Sequence, residues 1–181
     1  MLVSSIIRSA ACGLAFCTML AAAENLVPEG AISDGGGQPK GWVVPAGQPD
    51  WMLSRFRVIA DDDRAFVRCE SAPGIIEVAK PIDAAKAKQV TATYAFRLVG
   101  FQQGGHVWDV PYLELNFRDQ AGKELVNHTA QHWESTDTTG WAKRSFTADV
   151  PAGAVTVFVD LGYKAAAGKA DWADIALTVA K

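Results

Sequence analysis

"QVTATYAFRLV", residues 89–99, decides the fold. Val90, Ala92, Tyr94, Phe96 and Leu98 recur at every second position, and Gln89, Thr91, Thr93 and Arg97 fill the positions between. An apolar period of two belongs to a strand with one face in a core, because successive Cβ atoms point to opposite sides of a sheet. The stretch is too long and too regular to be a loop, and its β-branched and aromatic content suits a pleated surface.

Working outward, the same signal repeats between Gly, Pro, Asp and Asn clusters. It appears upstream in 55–59, 65–70 and 75–79, and downstream in 112–117, 125–133, 142–149, 155–161 and 171–179. In 112–117, Leu113, Leu115 and Phe117 face inward, with Tyr112, Glu114 and Asn116 outward. Asp119-Gln120-Ala121-Gly122 and Pro151-Ala152-Gly153 read as turns. Only 83–88 has helix-like composition, enough for a single turn. Nine or ten short strands at this spacing predict an all-β sandwich or barrel.

Residues 1–23 form a separate unit. Arg8 precedes an apolar run that ends in Ala21-Ala22-Ala23, the pattern of a secretory signal peptide. The run is shorter than the roughly 20 residues of a membrane span. Residues 24–181 then form one domain, secreted or periplasmic. The whole chain has 17 basic and 20 acidic side chains; without Arg8 it has 16 basic ones and a net charge of −4. A mildly acidic chain argues against a nucleic-acid partner. Cys69 is the one cysteine beyond residue 23, so the domain has no internal disulfide, and its place in a strand-like run predicts a buried small side chain.

Four segments resemble the galactose-binding-like jelly-roll modules. "NLVPEGAISDGGGQPKGW" (25–42) resembles their opening strand and Gly-rich loop. "NFRDQAGKEL" (116–125) resembles their strand-turn-strand. "VPAGAVTVFVDLG" (150–162) and "GKADWADIALT" (168–178) are similar to their late and closing strands. The segments occur in the family's order. The resemblance implies a β-sandwich jelly roll and a carbohydrate-binding module of the kind attached to xylanases and cellulases, whose concave sheet binds a glycan. It also implies a structural calcium, which takes six to eight oxygen ligands. Here Ser33 and Ala173 stand where two of the family's carboxylates fall, leaving Glu29, Asp34 and Asp174 as candidate donors.

A sugar site combines flat aromatic faces with a few convergent polar groups. Trp42, Trp141 and Trp172 read as core or rim, and Trp51, Trp108 and Trp133 remain. Trp108 lies in the Gly-rich 102–111 connection with His106 and Asp109, and Trp133 ends a strand. If the strands of Arg97 and Glu114 pair, then Arg97, Tyr112, Glu114 and Asn116 form one polar platform. The expected binding set is therefore Arg97, His106, Trp108, Asp109, Tyr112, Glu114, Asn116 and Trp133, with a polysaccharide or oligosaccharide as ligand.

Two rival readings stay open. A jelly-roll lyase would use Arg97, Tyr112, Asn116 and His132, and a glycosidase would pair Glu114 with Asp109 or Asp160. No HExxH, Cys–His cluster or nucleophile elbow accompanies them. The other rival is an extracellular protein-interaction module.

Overall fold

The computed structural model describes residues 24–25, 37–61, 64–70, 73–83, 86–125 and 130–180, with backbone alone for 24–25 and 130–133. Ten strands are present among them: β1 (Glu24–Asn25), β2 (Phe56–Asp61), β3 (Arg64–Cys69), β4 (Gly74–Pro81), β5 (Gln89–Gln102), β6 (Tyr112–Arg118), β7 (Ala130–Trp133), β8 (Ala142–Asp149), β9 (Thr156–Tyr163) and β10 (Ala167–Ala180). They form two antiparallel sheets. One runs β2-β3-β10-β5-β8, with β1 added to the end of β10; the other runs β4-β9-β6-β7.

The inward residues read from the 89–99 stretch are the core residues. Val90, Ala92, Tyr94, Phe96 and Leu98 are all buried. They meet Leu113, Leu115 and Phe117 of β6 and Val157, Val159 and Leu161 of β9. Trp172 is fully buried at the centre, 5.6 Å from the Phe96 ring and 6.4 Å from Phe56. Each such side chain contributes roughly 1.5–3 kcal/mol by leaving water. Cys69 is free and buried in the same core, and Trp42 closes it from the 37–49 segment. That segment is no free loop: Val43 exchanges two backbone hydrogen bonds with Glu77 of β4 (2.9 and 2.8 Å).

The strand bounds shift modestly from the sequence pattern. β8 coincides with the expected 142–149 and keeps strict alternation of half-buried and exposed residues. β10 begins at Ala167 and runs 14 residues. Its pairing with β5 shifts register between Ala173 and Ala176, around Asp174, which has φ 51°. A bulge of this kind bends and twists a long strand. The region of 83–88 closes a turn, with both Lys86 and Ala87 donating to the Asp83 carbonyl.

Strand-to-sheet assignment corrects one expectation. β5 pairs with β10 and β8, whereas β6 pairs with β9 and β7. Both strands turn an apolar face to the same core from opposite sheets, so their polar faces point to opposite sides of the sandwich. Arg97 is thus not on a platform with Tyr112, Glu114 and Asn116. The lyase set of Arg97, Tyr112, Asn116 and His132 is not assembled for the same reason.

Candidate functional site

The outer face of the four-stranded sheet collects polar chemistry from three adjacent strands. Glu77, Asp160 and Glu114 are register partners in one row across β4, β9 and β6. Neighbouring strands lie about 4.8 Å apart, so three carboxyl groups stand side by side. The row above pairs Phe158 with Asn116, and the row below pairs Gly162 with Tyr112.

The three acids are held differently. Arg118 forks onto Glu77, with Nη2 to Oε2 at 2.7 Å and Nη1 to Oε1 at 3.3 Å. The same guanidinium lies 3.8 Å from the Phe158 ring centroid, a cation–π contact that fixes it over the sheet. Asp160 has no such partner. It is buried, its Oδ1 accepts no hydrogen bond, and the Oδ1 of Asn116 in the next row is likewise unsatisfied. Burial raises the Asp160 carboxyl well above the ordinary range, and the charges of Glu77 and Glu114 raise it further. A protonated carboxyl at that position can donate as well as accept a hydrogen bond. Buried polar atoms without a protein partner are uncommon in folded proteins and are commonly met by ordered water.

Tyr112 completes the face. Its ring lies directly over Gly162, where a Cβ would fall inside the phenol. Glycine is therefore the residue that lets the ring lie flat on the sheet. Burial pushes the phenol upward, and the nearby Glu114 and Asp160 charges add to that. Lys164 approaches the ring to 5.6 Å.

The 102–111 connection leads straight into Tyr112. Asp109 closes it: its Oδ2 accepts the His106 N–H at 2.9 Å, and its own N–H donates to the His106 carbonyl at 3.0 Å. Gly104 leaves the room Asp109 needs. Val110 anchors the loop in the interior, and Ala166 and Glu134 donate to the carbonyls of Gln102 and Pro111. On this frame the Trp108 indole is 51% exposed and stacks on the His106 imidazole, with 4.7 Å between centroids and 9° between planes. The loop thus presents a flat aromatic pair beside the end of β6.

Each expected site residue now has a place. Tyr112, Glu114 and Asn116 share the outer face of β6, and His106, Trp108 and Asp109 form the adjoining loop. Trp133 is the register partner of Tyr112, and its side chain lies outside the described residues. Arg97 is on the opposite sheet, where its Nε donates to Asp171 Oδ2 at 2.8 Å. Glu77, Phe158 and Arg118 were not expected. Alternation in 155–161 does point Phe158 and Asp160 outward. Their juxtaposition with β4 and β6 is a matter of long-range pairing that a local period does not carry.

The calcium donors divide. Glu29 and Asp34 lie outside the described residues. Asp174 is at the β10 bulge, with its Oδ2 3.3 Å from Arg64 Nη1, and a cation there would have to displace that guanidinium. Among the described residues no three His, Cys, Asp or Glu side chains converge on a metal position. Among the described residues Asp174 stands beside Arg64 and not beside further carboxylates.

No protein-family model matches the chain, and no curated protein matches it. Solved structures do. The CBM22-1 xylan-binding domain of Paenibacillus barcinonensis Xyn10C is 13% identical with a TM-score of 0.50, over 88% of this chain and 93% of that one. A family 16 carbohydrate-binding module is 10% identical with a TM-score of 0.52, over 84% and 99%. An α-L-arabinofuranosidase, MgGH51, aligns over 86% of this chain, 14% identical with a TM-score of 0.53. The chain spans only 26% of that enzyme's length, and 21% of a bacteriophage CBA120 tailspike protein that it also resembles. The fold is the jelly-roll β-sandwich. The carbohydrate-binding modules share that fold, as do parts of the arabinofuranosidase and the tailspike protein.

Proposed function

We propose that this protein is a secreted, non-catalytic carbohydrate-binding module, and that it holds a polysaccharide or oligosaccharide on the outer face of the four-stranded sheet. Tyr112, 7% exposed, and Phe158, under the Arg118 guanidinium, form the apolar part of that face. Asp160, Asn116, Glu114 and the Glu77–Arg118 pair offer donors and acceptors to hydroxyls. The His106–Trp108 stack extends the platform at the end of β6. The observation that carries the reading is the half-exposed Trp108 indole stacked on His106, at the end of a sheet face whose outward row is Glu77, Asp160 and Glu114. The fold, shared with proteins whose names describe carbohydrate binding, supports it. A glycan array tests it. Binding to at least one plant, algal or bacterial glycan, lost in Tyr112→Ala, is expected; silence across the array refutes it.

One observation favours a second reading. Asp160 has a raised carboxyl beside Glu114 on the neighbouring strand, and a protonated acid next to a carboxylate is the equipment of glycoside hydrolysis. Release of reducing ends from mixed polysaccharides, abolished by Asp160→Asn, would favour this enzyme reading over a binder.

A further inference from the structure

The opposite side of the sandwich has its own chemistry. Across β2, β3, β10 and β5, one row of register partners reads Arg57, Arg68, Asp171 and Arg97. Asp171 is fully buried and serves both of its neighbours: Arg68 donates to its two oxygens at 2.7 and 3.0 Å, and Arg97 to Oδ2 at 2.8 Å. One carboxylate is thus shared by two guanidiniums. Arg57, directly opposite Arg68, has no carboxylate partner among the described residues. Like charges placed opposite each other across strands are unfavourable unless something compensates them.

Arg57 does not stand on an open surface. It lines a cleft of about 520 Å³ together with Ser54, Arg55, Ile59, Arg68 and Glu70. That volume is within the usual range of small-ligand sites. Arg55 likewise has no carboxylate partner among the described residues; its guanidinium lies 5.3 Å from the ring of Trp51, which is 47% exposed. The cleft therefore joins the guanidiniums of Arg55 and Arg57, without carboxylate partners among the described residues, to the Ser54 hydroxyl and to Arg68, which is already paired with Asp171 and with the cleft's own Glu70; the exposed Trp51 indole stands beside Arg55. Guanidinium forks match planar carboxylates, and the indole matches the apolar face of a sugar ring.

From this geometry we infer a second binding site, on the outer face of the β2–β3 hairpin, for the carboxylate of a uronic-acid residue in an acidic glycan. It is independent of the site on the four-stranded sheet. There the outward charges are mainly carboxylates, which repel such a ligand. The two faces would let one module hold neutral and acidic sugars on opposite sides.

Isothermal titration with oligogalacturonate, alongside a neutral oligosaccharide bound by the first site, tests the inference. Arg57 is exposed and makes no ion pair among the described residues, so Arg57→Ala should keep the wild-type melting temperature. It should weaken oligogalacturonate binding about tenfold or more, the value of one charge-assisted hydrogen bond, and leave neutral-glycan binding unchanged. Arg57→Lys should fall between, since it keeps the charge and loses the fork. No binding of oligogalacturonate by the wild type, equal binding by Arg57→Ala, or equally tight binding of inorganic polyphosphate would each overturn the inference. Failure of the first site is read separately, from neutral-glycan binding by the wild type and Tyr112→Ala.

Discussion

Gly162→Ala probes the Tyr112 platform through a single methyl group. Gly162 is not among the glycines with positive φ, so its backbone accepts alanine. Only the Tyr112 ring opposes the change, because an added Cβ would overlap its phenol carbons. Forcing a methyl into a packed site costs about 1–3 kcal/mol. Without the ring, glycine in a strand is itself less favourable than alanine by roughly 0.5–1 kcal/mol. Gly162→Ala should therefore destabilise the wild type by about 1–3 kcal/mol and be neutral or slightly stabilising in a Tyr112→Ala background. The coupling, of similar size, is read from a double-mutant cycle of urea unfolding curves followed by tryptophan fluorescence. Equal effects of Gly162→Ala in both backgrounds would refute the placement of Tyr112 over the sheet.

Four further outcomes follow from the contacts described above. Asp171→Ala leaves Arg68 and Arg97 facing each other without their shared carboxylate and should cost about 3 kcal/mol. Asp174→Asn, which removes the charge of an exposed partner of Arg64 and keeps a residue type suited to φ 51°, should stay within about 0.5 kcal/mol in the same denaturation assay. The raised carboxyl of Asp160 has a definite sign. Its folded form keeps a proton that the unfolded chain releases above 3.8, so its contribution to stability falls as pH rises from there through the folded value. Asp160→Asn should accordingly gain on the wild type as pH rises from 4 to 8, and melting curves showing a constant difference would contradict the assignment. Trp108→Ala should change melting little, because the indole is half exposed, yet weaken glycan binding by about 1 kcal/mol, the scale of one aromatic contact.

How much of this was legible in the sequence differs from fold to site. The period of two in 89–99 and 142–149 survives in the structure nearly residue for residue, because burial of one face is a local property of a strand, whereas in 112–117 Tyr112 and Asn116 of the outward set are buried as well. Trp172 and Cys69 were legible for the same reason. Arg97 was placed correctly on an outward face but joined to the wrong neighbours, since alternation fixes a side chain's direction and not the sheet it belongs to. The Glu77–Asp160–Glu114 row was hidden because β4, β9 and β6 meet only through long-range pairing. The backbone of Trp133 pairs opposite Tyr112, and its side chain lies outside the described residues.

The central claim is the location of the glycan site, and backbone-amide chemical-shift mapping with a bound oligosaccharide tests it most directly. The account predicts shifts concentrated in Glu77 of β4, Tyr112 to Arg118 of β6, Phe158 to Gly162 of β9 and the loop from His106 to Asp109. Shifts confined to β2, β3, β5 and β10, or none at saturating neutral glycan, would contradict it.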